Sequence, residues 1–272
     1  MVRHAFSERM GVSTLCLAGL PLTEAIERTL EAGFAAFELT PITYGGPEAF
    51  GDCERRELRR RLDGFKLVTV HSSGMRGANI CSAEAAHRQR SRERFRCLLE
   101  LAQDLGADLV TFHPGRQAAN GPTEEEVRAE NIAFGRDLVA RLDGPDMKLG
   151  YEFFDAEVVG EIGSPDFGLL FDIGHACRLG PKVDTDDVIT MIDELASQTV
   201  QLHVHGVCGP DKTDHLALSE DTWLDYGRIA RHVERLRLRV PMIFEIGIRT
   251  EDWRANLKDC ADARDTLVQA VG

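Results

Sequence analysis

The sequence predicts a single (β/α)₈ barrel over residues 1–272, on three observations. Short β-rich runs alternate with longer helical patterns along the whole length, the mark of βα units and a parallel sheet. Eight such units can be traced, and 272 residues is an ordinary length for one closed barrel. No Gly-rich phosphate fingerprint follows the first strand, which runs into Leu17-Ala18-Gly19-Leu20-Pro21. That argues against an open doubly wound sheet and against a nucleotide cofactor.

The elements follow in order. The first strand is placed near Gly11–Leu17, with a helix from Leu22 to Ala32 that stops at Gly33. The second strand is Ala35–Leu39, followed by a Pro/Gly-rich loop and a helix over Cys53–Leu62. The third is Lys66–Val70. A long helix then runs from about Ala83 to Leu105, with Gly106 as its C′ residue. The fourth strand is Asp108–Phe112, and the next helix opens at Thr123 and Glu126, which have capping-box spacing. Strands five to eight are Lys148–Phe153, Gly168–Phe171, Val200–Val204 and Met242–Phe244, and a last helix covers Trp253–Val268. No low-complexity segment or long linker divides the chain, so one domain is expected.

Composition narrows the function classes. The formal net charge is −13, which disfavours a partner whose affinity comes from neutralised phosphates, so nucleic acid is not the expected ligand. No apolar run approaches the length of a membrane span. The first ten residues hold Arg3, His4, Glu8 and Arg9 without an apolar core, so no signal peptide is expected. Seven scattered cysteines form no C-x-x-C pair and read as free thiols of a reducing cytosol.

The chemistry collects where strands end. The third strand runs into His71, the fourth into His113-Pro114-Gly115, and the fifth holds Glu152. The sixth runs into Asp172 and His175, the seventh carries His203 and His205, and the eighth runs into Glu245. In a closed barrel these ends meet on the C-terminal face, where active sites lie. A lone His there is usually a structural residue, whereas a Glu inside an apolar strand is costly unless partnered. Six consecutive strands ending in ligand types point to a divalent cation, which makes clustered carboxylates favourable instead of repulsive. Zinc, manganese and iron all suit such a mixed set, with one to three ions expected.

From Gly11 to about Glu245 the chain resembles the xylose-isomerase-like barrel superfamily, which includes endonuclease IV and many sugar isomerases and epimerases. The resemblance implies a metal set of Glu152, Asp172, His203 and Glu245. His203 is preferred to His205 on the pattern His-x-(Asn/His), and His205 is left to substrate. The endonuclease IV branch adds ligands that match His71, His113, His175 and His215, and the stretch from His71 to Asn79-Ile80-Cys81-Ser82 is similar to that branch. Its Asp-x-His is broken here, because Thr213 precedes Asp214-His215. Asp214 or Asp211 is the available substitute.

The extra histidines lead to a first expectation of a metal-dependent hydrolase of a small phosphorylated or phosphodiester-containing molecule, a cobamide included. There Glu152 would bridge two ions and Glu245 would hold or deprotonate the attacking water. The alternative is a mononuclear isomerase or epimerase of a sugar, polyol or keto acid. There Glu152 and Glu245 move the proton and His175 orients a hydroxyl. Abasic-site DNA cleavage comes third, since the basic run Arg88–Arg94 falls on a helix behind the third strand and reads as a solvated face. A barrel that only binds comes last. An anionic small molecule is the expected partner, and Arg76, Arg116, Arg178, Lys212 and Arg249 are candidate clamps on the loops. Trp223 and Tyr226 read as core. Asp184, Asp186 and Asp187 read as helix-start carboxylates, and His4, His87 and His232 carry no expected role.

Overall fold

Branched and aromatic residues make the strands, and Gly, Pro, Ser and Asp cut them short. The computed structural model describes residues 5–72, 78–117, 121–143, 147–152, 155–180, 183–209, 213–221, 223–247 and 252–272. The elements run β1 (Met10–Ser13), α1 (Leu22–Glu31), β2 (Ala36–Leu39), α2 (Asp52–Leu62), β3 (Leu67–His71), α3 (Ala85–Leu105) and β4 (Leu109–Phe112). They continue α4 (Glu124–Val139), β5 (Lys148–Glu152), α5 (Ala156–Ile162), β6 (Phe167–Asp172) and a single turn α6 (Ile173–Ala176). The remainder is α7 (Thr185–Leu195), β7 (Thr199–Val204), a short antiparallel pair β8 (Gly206–Cys208) and β9 (Thr213–Leu216), α8 (Tyr226–Arg235), β10 (Met242–Phe244) and α9 (Trp253–Val271). Eight of the strands close into a barrel in the order β1-β10-β7-β6-β5-β4-β3-β2.

Several boundaries differ from the sequence reading for local reasons. The expected first strand, Gly11–Leu17, stops at Ser13, whose hydroxyl accepts from the Leu15 N–H at 3.4 Å and starts a 3₁₀ turn over Thr14–Leu17. A serine side chain offers the backbone that alternative to a ladder. β3 and β6 run further than expected, so His71 and Asp172 are the last strand residues and not the first loop residues. The expected end of the fifth strand, Phe153, lies outside the described residues. The β8–β9 pair was not anticipated: its residues alternate too little to be read as strands. The helix signals are present as expected. Thr123 and Glu126 form a reciprocal capping box, Asp184 and Asp187 form a second, and Gly106 closes α3 with a φ of 69°.

The chain gathers into two compact units. The first contains Met1–Glu38, Asp63–Leu67 and Phe171–Gly272. In it β1 pairs in parallel with β2, setting Ser13 opposite Glu38, and with β10, which pairs in turn with β7 and sets Ile243 opposite His203. Met10, Val12, Phe37, Leu202, Val204, Ile243 and Phe244 are all buried. Phe37 stacks on Phe65 at 5.0 Å. Each such side chain contributes about 1.5–3 kcal/mol by leaving water.

The second unit contains Leu39–Leu62 and Val68–Leu170. There β3, β4 and β5 pair in parallel, and β5 sets Glu152 opposite Leu170. Phe95 of α3 meets Phe112 edge-on at 5.6 Å, and Tyr151 meets Phe167 at 4.8 Å. The basic run on α3 is tied to carboxylates of neighbouring segments: Arg92 to Glu130, Arg94 to Glu48 at 3.2 Å, Arg96 to Asp137 at 2.8 Å. Arg88 bonds the carbonyls of Ser82 and Ala83. This fits a solvated helix face better than a path for a duplex. All seven cysteines are free thiols, and among the described residues no helix is long and apolar enough to cross a membrane.

Candidate metal centre

In the first unit, β6 ends in Asp172, His203 is the last residue but one of β7, and Glu245 directly follows β10. Their side chains are buried, at 0%, 0% and 3% exposure. Each offers one donor atom, and the three atoms lie within 4.8 Å of one another. His203 Nδ1 is 3.5 Å from Glu245 Oε2 and 3.9 Å from Asp172 Oδ2. Two buried carboxylates this close repel unless a positive charge sits with them. Here the histidines supply it. Burial pushes the Asp172 carboxyl up, but His205, His175 and His203 outweigh burial and hold it well below the usual carboxylate range. Burial pulls His203 down, but Glu245 and Glu38 outweigh that and raise it well above the ordinary imidazole value. Two hard oxygen donors and one imidazole make the set a candidate divalent-cation site.

Around this trio stands a frame of side chains. His205 is fully buried; its Nδ1 accepts from the His215 N–H at 3.0 Å, and its Nε2 lies 3.0 Å from Asp172 Oδ1. An accepting Nδ1 leaves the proton on Nε2, so His205 donates to Asp172. His205, expected to meet substrate, turns its two ring nitrogens to the His215 N–H and to Asp172. Its face packs on Gly174, where a Cβ would lie 2.1 Å from His205 Cε1. His215 takes a left-handed φ of 60°, which costs an L-residue about 1–2 kcal/mol. Its Nδ1–H donates to the Glu245 carbonyl at 3.0 Å. Burial and the neighbouring His205 lower the pKa of His215. His175 presents Nδ1 to Asp172 at 3.3 Å and Nε2 to Asp214 at 3.6 Å. His175, His205 and His215 themselves bring donors within 4.8 Å.

Tyr226, from the start of α8, donates its hydroxyl to the His205 carbonyl, and Asp221 accepts from the N–H of Val207 at 2.6 Å and of Leu224 at 2.7 Å. The aromatic residue read as core therefore fixes the loop behind His205.

In the second unit, β3, β4 and β5 bring together His71, His113 and Glu152. His71 Nε2 is 3.4 Å and His113 Nε2 3.2 Å from Glu152 Oε2, with the two rings 5.1 Å apart. The other ring nitrogen of His71 meets Thr111 Oγ1 at 2.8 Å, and the His113 N–H donates to Ser72 Oγ at 2.8 Å. These three also place donors within 4.8 Å.

Of the candidate clamps, Arg178 is ion-paired with Asp214, and Arg116 lies 3.3 Å from His113 Nδ1. Arg76, Lys212 and Arg249 lie outside the described residues, as do Asp211 and His4. Sequence reasoning missed Glu38 and Gln201. Glu38 is wholly buried on β2, and its carboxylate meets Gln201 and His203. The signal was present, since Phe37-Glu38-Leu39 is a Glu inside an apolar strand, the feature that singled out Glu152 and Glu245.

A model of the xylose isomerase-like TIM barrel family matches residues 26–263, and the chain belongs to that family. It is 24% identical over 226 residues to an uncharacterised protein, MJ1311, of Methanocaldococcus jannaschii, covering 78% of this chain and 75% of that one. Among solved structures, a D-psicose 3-epimerase with D-tagatose, from Clostridium cellulolyticum H10, superposes with a TM-score of 0.76 at 12% identity, covering 97% and 99% of the two chains. An L-ribulose 3-epimerase gives 0.75 at 18% identity, over 97% of this chain and 94% of that one. A D-tagatose 3-epimerase-like protein gives 0.74 at 20%, over 97% and 100%. At these identities the likeness establishes the fold.

Proposed function

We propose that this chain is a divalent-metal-dependent isomerase or epimerase of a small polyhydroxy carbonyl compound. The observation that carries the reading is the buried trio Asp172, His203 and Glu245, with donor atoms within 4.8 Å on three strand ends. Glu152, which ends β5, is the fourth ligand that the family resemblance supplies. The structural neighbours named as ketose 3-epimerases support this reading over the hydrolase expected first. When bound, the ion would polarise the substrate carbonyl and its neighbouring hydroxyl. Glu245 is the carboxylate of the trio that would take or return the carbon-bound proton, and the family resemblance implies the partner role for Glu152. His175, half-buried beside Asp172, is the group to orient a hydroxyl.

The test is incubation with ketopentoses and ketohexoses and Mn²⁺ in D₂O, followed by NMR. Epimerisation through proton removal places deuterium at the reacting carbon. No exchange into any ketose, together with phosphate release from a phosphoester panel, would transfer the assignment to the hydrolase. One observation favours that second reading: His71, His113 and Glu152 form a further imidazole-rich donor set, of the kind that holds a second ion in polynuclear sites.

A further inference from the structure

We propose that Glu38 is a positioning residue for His203: its carboxylate holds the imidazole in the Nε2–H form and so makes Nδ1 the metal-donor atom. This rests on the metal reading of Asp172, His203 and Glu245.

Glu38 is the third residue of β2, wholly buried and in register with Ser13 of β1. A carboxylate there must be partnered. Its partners come from β7, where Gln201 and His203, two residues apart, share a strand face. Glu38 Oε2 accepts from Gln201 Nε2 and lies 3.2 Å from His203 Nε2. The two nitrogens themselves are 2.8 Å apart.

With an ion bound at Nδ1 or Nε2 the ring keeps one proton, and two arrangements compete. In one, Gln201 and His203 both donate to Glu38 Oε2, and their nitrogens are close because they converge on one oxygen. In the other, Gln201 donates to a bare His203 Nε2 and the ring proton moves to Nδ1. A hydrogen bond to an ionised carboxylate is about twice as strong as one to a neutral acceptor. The charge on Glu38 therefore selects the first arrangement. The consequence lies on the other side of the ring. Nδ1 faces Glu245 Oε2 at 3.5 Å and Asp172 Oδ2 at 3.9 Å. With the proton held on Nε2, an ion among these two carboxylates would meet the Nδ1 lone pair. A carboxylate behind a metal-binding histidine fixes tautomer and ring orientation and raises ligand basicity.

The experiment measures Zn²⁺ affinity by competition with a chromophoric chelator. Glu38→Gln keeps the volume, removes the charge and lets the second arrangement win, so affinity should fall about 10- to 100-fold. Glu38→Gln/Gln201→Glu moves the carboxylate across to the atom position beside His203 Nε2 and should restore most of the loss. A packing role alone would not be rescued by that exchange. Wild-type affinity in Glu38→Gln, or no recovery in the double variant, overturns the inference while the metal reading stands. Failure of the wild type to bind Zn²⁺ brings down both. If Glu38→Gln does not fold, ring ¹⁵N spectra of the zinc-loaded wild type decide: a proton on His203 Nε2 supports the inference, and a proton on Nδ1 overturns it.

Discussion

The two donor clusters are built from the same residue types and differ in charge and cover. Asp172, His203 and Glu245 carry two carboxylates to one imidazole, and all are buried. A third buried carboxylate, Glu38, stands behind His203. His71, His113 and Glu152 carry one carboxylate to two imidazoles, and His113 keeps 26% of its side-chain surface. The first cluster has more carboxylates than imidazoles among its three donors. The second is a network in which His71 and His113 both turn a ring nitrogen to Glu152 Oε2. Donor geometry alone does not separate them, since both meet the same distance limit. Charge and burial do, because ion affinity grows with the number of anionic donors held away from water.

The strongest way to break this contrast is to remove a charge from the first cluster without changing its shape. Glu245→Gln should lower ketose turnover by about 100- to 10,000-fold, the range for losing a positioned acid–base group, and should also weaken Mn²⁺ binding. Turnover within a few-fold of wild type would place the chemistry elsewhere. Stability offers a second measure. A ligand that binds only the folded state at 100 times its Kd adds about 2.7 kcal/mol. Mn²⁺ should therefore raise the Tm of the wild type markedly and that of Asp172→Asn little. Equal shifts in the two proteins would mean that Asp172 does not hold the ion.

A finer test addresses the frame. Gly174→Ala puts a methyl into the His205 ring and should cost about 1–3 kcal/mol by overpacking. It should also weaken Mn²⁺ binding, because the ring that moves is the one that donates to Asp172. Loss of stability with Mn²⁺ affinity intact would make His205 a packing residue only.

The barrel and the strand-end residues could be read from the sequence because both depend on local pattern. Apolar runs of strand length alternate with helical ones, and His71, Asp172, His203 and Glu245 each interrupt or end such a run. The second sphere was hidden because it depends on register. Glu38 gains its meaning only when β2 and β7 bring it to His203, contacts 163 and 165 residues apart in the chain. The left-handed turn at His215 is likewise set by tertiary hydrogen bonds, from its N–H to His205 and from Gly247 N–H to its carbonyl. The first strand was drawn too long because Ser13 caps a 3₁₀ turn inside an apolar run, where apolarity alone does not distinguish a strand from a turn.

The smallest expected effect is the most discriminating. His71→Ala/His113→Ala empties the second cluster of its imidazoles and leaves Glu152 in place. If the metal chemistry belongs to the first cluster, elemental analysis of chelator-free protein should give the same ion count per chain in this variant as in the wild type. Turnover should survive with it, since neither histidine supplies an anionic ligand or the proton-moving carboxylates. If the wild type instead carries two or more ions and the variant loses one, the second cluster is a metal site in its own right. Two imidazoles to one carboxylate would then suit a softer ion such as zinc, bound mainly through imidazole. The polynuclear hydrolase would become the better account of the same strand ends.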